Sequence, residues 1–394
     1  MLSPMVPHDG SAHAGGRYLR QLSSLLESET SLTVVCAASA TNRADAHRPG
    51  SPRDLMLIGL GGRRTWFGRL LDRVIVRADN TLRRWDPAMP PLALLSGIAE
   101  SGRVRQAIRS ADVIDLQWSE CIRLVGLVRR LNPDAIITGT FHDVMSQRFS
   151  REPSATPRAA RYWRLVAKRS RRHERAMVGK LDSSIVFSAK DAALLGDPVN
   201  SVVVPPPLMS GPKVRHNPSQ AGIVLVVSYL ARDENDKGVL WMLAEIWPRV
   251  VAEVPQARLR VVGSGASAEV RRAAADGGAE LPGFVDDLDC EHREATVCLV
   301  PLRQGAGVKF KTVEALLNGV PTVSTPVGAE GIGDSGLFAA VSAEPGEIAE
   351  AVIAVLKNPG AAQPRADRAQ DWAVEQFSWD RFASAIRASM AQHS

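Results

Sequence analysis

The stretch PLRQGAGVKFKTVEALLNGVPTVSTPVGAEGIG, from Pro301 to Gly333, leaves few folds open to this chain. The segment before it, ATVCLVP, is apolar and β-branched, as a buried parallel strand requires. Gly305 and Gly307 then bracket a turn that can bring backbone N–H groups close to a ligand. A helix of about three turns is expected next. Gly319 stands where a left-handed cap belongs, and Pro321 forbids continuation. PTVST is the next strand and VGAEGIG the next loop. A helix N-terminus thus sits at the carboxyl end of a strand, where its free N–H groups and partial positive charge make an anion site. Lys309 and Lys311 add two cations, and Glu314, three residues after Lys311, shares its helix face. A carboxylate there does not suit phosphate, but it suits accepting hydrogen bonds from a diol such as a ribose. Phosphate donors and a diol acceptor within one turn point to a nucleotide diphosphate. An ordinary β-α-β unit with solvated lysines fits the same spacing, so the pattern alone does not separate the two.

The chain has 394 residues, which favours two domains over one. No apolar run is long enough to span a membrane, and the start has neither the basic nor the apolar region of a signal peptide. Cys36, Cys121, Cys290 and Cys298 form no CxxC pair, so reduced thiols in a cytoplasm are expected and a zinc site is not. The net charge is +6, carried by 40 arginines and eight lysines. Nucleic acid, anionic lipid or phosphorylated substrates would all answer that charge. No nucleic-acid motif accompanies it, so no nucleic-acid partner is expected.

Read in order, LSPMVP is a short first strand, at a sheet edge or at a late start, leading into HDGSAHAGG. Gly15 and Gly16 precede an amphipathic helix and allow close approach of a phosphate or sugar; a plain tight turn fits equally. Residues 63–85 place Trp66, Phe67, Leu70, Leu71, Val74 and Ile75 at helical spacing among arginines. That helix either packs on the core or lies on an anionic membrane surface. Residues 158–180 form a second basic helix, gathering Tyr162, Leu165, Val166 and Met177 on one broad side. Between them AIITGTFHD is a strand ending in His142, where α/β folds place ligand contacts. A proline-rich linker spans 205–222, and the α/β rhythm then restarts. The GSGASA at 263–268 lacks the setting of a dinucleotide fingerprint. The C-terminal Trp/Phe/Trp/Phe stripe needs a surface to cover.

These pieces together resemble a group 1 (family 4, retaining) glycosyltransferase of the GT-B fold. PHDGSAHAGG is similar to the family's N-terminal glycine loop, and TFHD to its strand-end histidine. VSYLARDENDKGVLWMLAEIWPRVVAEVPQARLRVVGSG looks like the opening of its nucleotide half. GAGVKFKTVEALLNGVPTVSTPVGAEGI resembles the G-x-G-x-[RK]-x-K-x-x-E-A pattern of the polysaccharide-assembly branch. The implied fold is α/β, two Rossmann-like domains facing each other across a cleft. Residues 1–207 would bind acceptor and 208–375 the nucleotide sugar, with a C-terminal helix at about 376–394 packing back on the first domain.

The resemblance also implies roles. Glu314 would hold the ribose, and Lys309 and Lys311 would neutralise the departing diphosphate. Gly305, Gly307 and Val308 would offer backbone contacts to the phosphates, Gly15 and Gly16 would face them, and His142 would lie against the donor sugar. The implied reaction is retaining transfer of a hexose from a nucleotide-diphosphate sugar to a hydroxyl of a lipid-linked, glycan or polysaccharide acceptor. It needs no cofactor and no metal, and runs in the cytoplasm or at the inner membrane face. Three positions depart from the pattern. Ala306 stands where many members carry Glu, Ser228-Tyr229-Leu230 replaces Gly-Arg-Leu, and the first strand is short. Arg232 or Lys237 would have to replace the missing arginine. The alternatives are a GT-B domain that binds a nucleotide sugar or partner without turnover, and a nucleotide-sugar 2-epimerase.

Overall fold

The computed structural model describes residues 1–11, 14–59, 66–86, 89–152, 154, 156–208, 214–217 and 222–391. Ala12 and His13 of the first glycine loop, residues 63–65 of the first basic helix and much of the 205–222 linker lie outside them, as do the side chains of Phe67 and Leu71. The chain divides into two compact units. One comprises Met1–Pro207 with Phe382–Ser394, the other Leu208–Arg381.

The first unit is built on parallel strands β1 (Thr33–Ala37), β2 (Asp54–Ile58), β3 (Val113–Gln117), β4 (Ile136–Phe141), β5 (Ser183–Val186) and β6 (Ser201–Val203). β1 pairs with β2, and β3 to β6 pair in sequence order. Leu2 joins the two groups, bridging Val35 of β1 on one side and Leu116 of β3 on the other. The opening residues are therefore not an edge, as their shortness suggested. They lie in the middle of the sheet, where Leu2 donates to Asp115 O at 2.8 Å and accepts from Gln117 N at 3.0 Å. Both neighbouring strands supply its hydrogen-bond partners. Leu116, Ile137, Phe141 and Val186 fill the core with almost no exposure, the burial that apolar strands of a covered parallel sheet predict.

The second unit carries β7 (Ile223–Val227), β8 (Arg258–Val262), β9 (Glu280–Gly283), β10 (Val297–Val300), β11 (Thr322–Ser324) and β12 (Ala340–Val341). They form one parallel sheet in the order β12-β11-β10-β7-β8-β9. This is the doubly wound order, reversing between β7 and β10. In the first unit the order reverses between the Leu2 segment and β3. Open α/β sheets bind ligands beyond the strand carboxyl ends at such a reversal, because the flanking loops diverge there and leave a crevice.

Three helical expectations change. The helix Trp66–Trp85 leaves Trp66 71%, Val74 55% and Trp85 68% exposed, so these residues do not pack on the core. The helix Pro157–Val178 splits its apolar set, with Val166 and Met177 buried and Leu165 exposed. The C-terminal aromatic stripe is shared out. The helix Pro359–Gln376 packs Trp372 against Phe377 in the second unit, and the next helix, Trp379–Ala391, buries Phe382 beside Tyr18 of the first.

Candidate functional site

In the second unit the loops after β7 and β10 flank the strand-order reversal. β10 ends at Val300, and the chain runs through Gly305 at φ +122° and Gly307 at φ +70°, both in the left-handed region where glycine is favoured. The helix that follows, Phe310–Leu317, has eight residues and about two turns rather than three. Gly319 closes it at φ +68°. Lys309 is its N-cap residue and folds back, its ammonium donating to the carbonyls of Ala306 at 2.8 Å and Gly307 at 2.6 Å. It thereby stiffens the loop whose glycines were expected at the phosphates. Val308 is half-buried against the cluster around Leu316 and Leu317.

Lys311 ties the two loops together. Its ammonium donates to Ser228 Oγ at 3.0 Å and to Asn235 Oδ1 at 2.8 Å, while Asn235 donates to the carbonyl of Tyr229 at 2.7 Å. Ser228 directly follows β7, and Asn235 lies in the first turn of the helix Asp233–Glu245. Both acceptors are neutral. Burial of the amine, reinforced by the neighbouring charge of Lys309, pushes the pKa of Lys311 down to about 7. Glu314 is half-exposed one turn on, and with Glu234 it pulls in the opposite direction. Arg232 caps the helix Asp233–Glu245, remains about half exposed, and lies 4.0 Å from Glu234. Lys237 pairs instead with Asp233 at 2.6 Å, with both side chains exposed.

Neighbouring glycines let these loops close on each other. A Cβ on Gly263 would fall 1.9 Å from the Ser228 carbonyl oxygen, and one on Gly238 2.5 Å from that of Pro301. The GSG turn after β8 is thus a packing device. Ser228 and Asn235 did not stand out in the sequence, because a buried amide and hydroxyl are recognisable only once their partner is in place.

In the first unit, Gly15 and Gly16 lie inside the first turn of the helix Ala14–Glu29 rather than before it. A Cβ on Gly15 would meet Trp118 Cζ2 at 2.6 Å and His142 Nδ1 at 3.6 Å. Trp118 follows β3 directly in a left-handed conformation, φ +62°, which is uncommon for a bulky residue. His142 follows β4, is 6% exposed, and stacks on the Trp118 indole. Gly15, Trp118 and His142 are thus brought together at the first unit's strand-order reversal. Trp118 was not foreseen, since Trp after an apolar strand reads as core.

Residues 221–358 match the family model described as glycosyl transferases group 1. The second unit carries a group 1 glycosyltransferase domain. This domain contains the whole Lys311 cluster. A curated relative, an uncharacterized 44.6 kDa protein in the cps region of Klebsiella pneumoniae, is 30% identical over 118 residues. That match spans 28% of this chain and 30% of the relative's length. Two solved structures extend the likeness beyond the group 1 domain. The Anabaena protein HepE in complex with UDP superposes with a TM-score of 0.67 at 14% identity, covering 98% of each chain. Sucrose-phosphate synthase from Thermosynechococcus elongatus superposes with a TM-score of 0.65 at 18% identity, covering 99% of this chain and 97% of its own. At these identities the likeness is one of fold, and the fold is GT-B.

Proposed function

We propose that this chain is a retaining glycosyltransferase that moves a hexosyl group from a nucleotide-diphosphate sugar to a hydroxyl of a lipid-linked, glycan or polysaccharide acceptor. The anomeric carbon breaks its bond to the diphosphate and forms one to the acceptor oxygen, whose proton is released. The observation that carries the reading is the Lys311 cluster at the head of the helix Phe310–Leu317 in the group 1 domain, at the strand-order reversal. Positive charge held there, with the helix dipole, stabilises a leaving diphosphate as its charge grows. Lys309 and Lys311 supply what a divalent cation supplies in other diphosphate sites, so the reaction is read as metal-independent. Glu314 takes the ribose diol and the loop of Gly305, Gly307 and Val308 lines the phosphates, with Arg232 as the nearby replacement for the absent arginine. The role read for His142, with Gly15 and Gly16, is contact with the sugar.

The cps-region relative and the UDP-bound fold neighbour favour polysaccharide assembly with a nucleotide-sugar donor. A peripheral site of action on anionic membrane draws support from the exposed Trp66, Leu70, Val74 and Trp85 interleaved with exposed Arg73 and Arg77.

The test is a thermal-shift screen with UDP, GDP, ADP and their sugars in the presence of a chelator. A ligand that binds the folded state raises the melting temperature by mass action. One nucleotide is expected to shift it, and the anomeric configuration of the transferred sugar is expected to match the donor's. A folded protein that no nucleotide stabilises would sink the reading.

A further inference from the structure

Beneath His142 lies a buried polar chain that neither the group 1 domain nor the sequence motifs account for. On β3, Asp115 and Gln117 point to one face, and in the parallel register they stand beside Thr138 and Thr140 of β4. Thr138 Oγ1 donates to Asp115 Oδ1 at 2.8 Å. Gln117 Nε2 donates to Asp115 Oδ2 at 2.6 Å and also reaches Thr140 Oγ1 at 3.1 Å. All four side chains are at most 3% exposed. Burial pushes the Asp115 carboxyl up, and the bond from Gln117 is the first influence opposing it. With Asp115 ionised, the form that the neighbouring buried amino terminus favours, the amide of Gln117 has one orientation compatible with this partner. Turned over, its carbonyl would face a carboxylate oxygen, acceptor against acceptor. Its Oε1 is therefore directed at His142 Nε2, 2.8 Å away.

A carbonyl oxygen only accepts, so that bond requires the proton to sit on Nε2. In the neutral ring Nδ1 then carries the lone pair, on the edge that turns toward Gly15. The ring plane is held separately. Trp118 lies 3.5 Å from the imidazole between centroids, 8° from parallel, and Tyr18 and Phe187 meet it edge-on at 5.0 and 5.1 Å. Trp118 reaches this position from a left-handed backbone at φ +62°, a conformation disfavoured for a side chain of its size. A residue kept there against that preference is consistent with a clamp.

The geometry points to Gln117 as the positioning residue of the first unit: backed by Asp115, it locks His142 as the Nε2–H tautomer, so that its Nδ1 edge accepts hydrogen bonds and does not donate. This deepens the proposed function and rests on it only for what Nδ1 meets, a hydroxyl of the donor sugar. The group beside the sugar is then an acceptor, not a general acid.

The tautomer is read directly from the ring ¹⁵N shifts and long-range ¹H–¹⁵N couplings of histidine-labelled protein, with the His142 signal assigned by its loss in His142→Gln. The wild type is expected to show protonated Nε2 and bare Nδ1, with or without donor. Gln117→Leu is expected to abolish that preference and lower kcat at least tenfold with donor KM unchanged. Gln117→Glu, which shares a proton with Asp115 and still offers an acceptor to Nε2, is expected to restore both. Protonated Nδ1 in the wild type, or an unchanged tautomer in a folded Gln117→Leu, overturns the assignment. The wild-type spectrum decides this even if the leucine variant does not fold. A wild type with protonated Nε2 and no transfer activity would sink the proposed function and leave the tautomer assignment standing.

Discussion

The ammonium of Lys311 and the side-chain carbonyl of Asn235 meet at 2.8 Å, joining the loop after β10 to the helix that follows β7. The second acceptor of the ammonium is Ser228, so among the described residues both hydrogen-bond acceptors of this amine are neutral. Under the proposed function, the diphosphate supplies the missing negative charge.

The first prediction follows from the sign of the Lys311 shift. With a pKa near 7 in the folded protein, the amine is charged below pH 7 and increasingly neutral above it. A diphosphate selects the charged form, so donor affinity is expected to weaken as pH rises from 7 to 9, by up to about tenfold per pH unit. The unfolded chain holds this proton up to an ordinary lysine pKa, so the contribution of Lys311 to unliganded stability is expected to rise with pH across the interval from about 7 to about 10.4. Calorimetric donor titrations at several pH values check the first, and melting curves of wild type against Lys311→Met the second. Flat donor affinity from pH 6 to 9 would contradict the first.

Asn235 serves both the Tyr229 carbonyl and Lys311. Asn235→Ala is expected to cost about 1–3 kcal/mol of stability, because two partly buried partners each lose a bond. Ser228→Ala removes a single bond to Lys311 and is expected to cost less, about 1 kcal/mol. Urea denaturation of the two variants tests the ranking.

For Glu314 the discriminating ligand lacks the diol. Glu314→Gln is expected to weaken binding of the preferred nucleotide diphosphate about tenfold, the order of one charge-assisted hydrogen bond. It should leave the 2′,3′-dideoxy nucleotide unaffected. Equal losses for both ligands would mean that Glu314 does not hold the ribose.

Gly15→Ala introduces a methyl 2.6 Å from Trp118 Cζ2. The indole is stacked on His142, so making room for the methyl disturbs that stack, and a destabilisation of about 1–3 kcal/mol is expected. Loss of the stacked geometry should also appear as a change in tryptophan fluorescence. An unperturbed melting temperature would show that the packing is looser than drawn.

The helix Trp66–Trp85 supplies the membrane prediction. Sedimentation with vesicles of phosphatidylglycerol is expected to exceed that with phosphatidylcholine and to weaken with salt, since each basic residue near the surface contributes on the order of 1 kcal/mol. Trp66→Ser with Trp85→Ser should reduce the bound fraction several-fold. Equal binding to neutral and anionic vesicles would contradict the charge argument.

The local signals were legible because they are covalent and near in sequence. The glycines at 305 and 307, the cap at Gly319 and the stop at Pro321 each state a backbone requirement that no other residue type meets as well. Apolar β-branched runs alternating with helical ones are enough to predict parallel α/β layers. Less was legible wherever a residue takes its meaning from a partner far along the chain. Leu2 looked like a frayed edge, yet it closes the middle of a sheet because β1 and β3 arrive on either side. The exposed tryptophans of the basic helix and the shared-out C-terminal stripe depend on which surfaces remain uncovered after packing.

The sequence by itself determined the α/β class, the glycine loops and the cationic helix start, since backbone sterics and periodicity act over a few residues. Only the tertiary structure decided that Lys311 faces Ser228 and Asn235, and that Asp115, Gln117, Trp118 and His142 form one cluster. Those contacts join strands whose adjacency arises from sheet order, and sheet order is settled by burying the whole core at once.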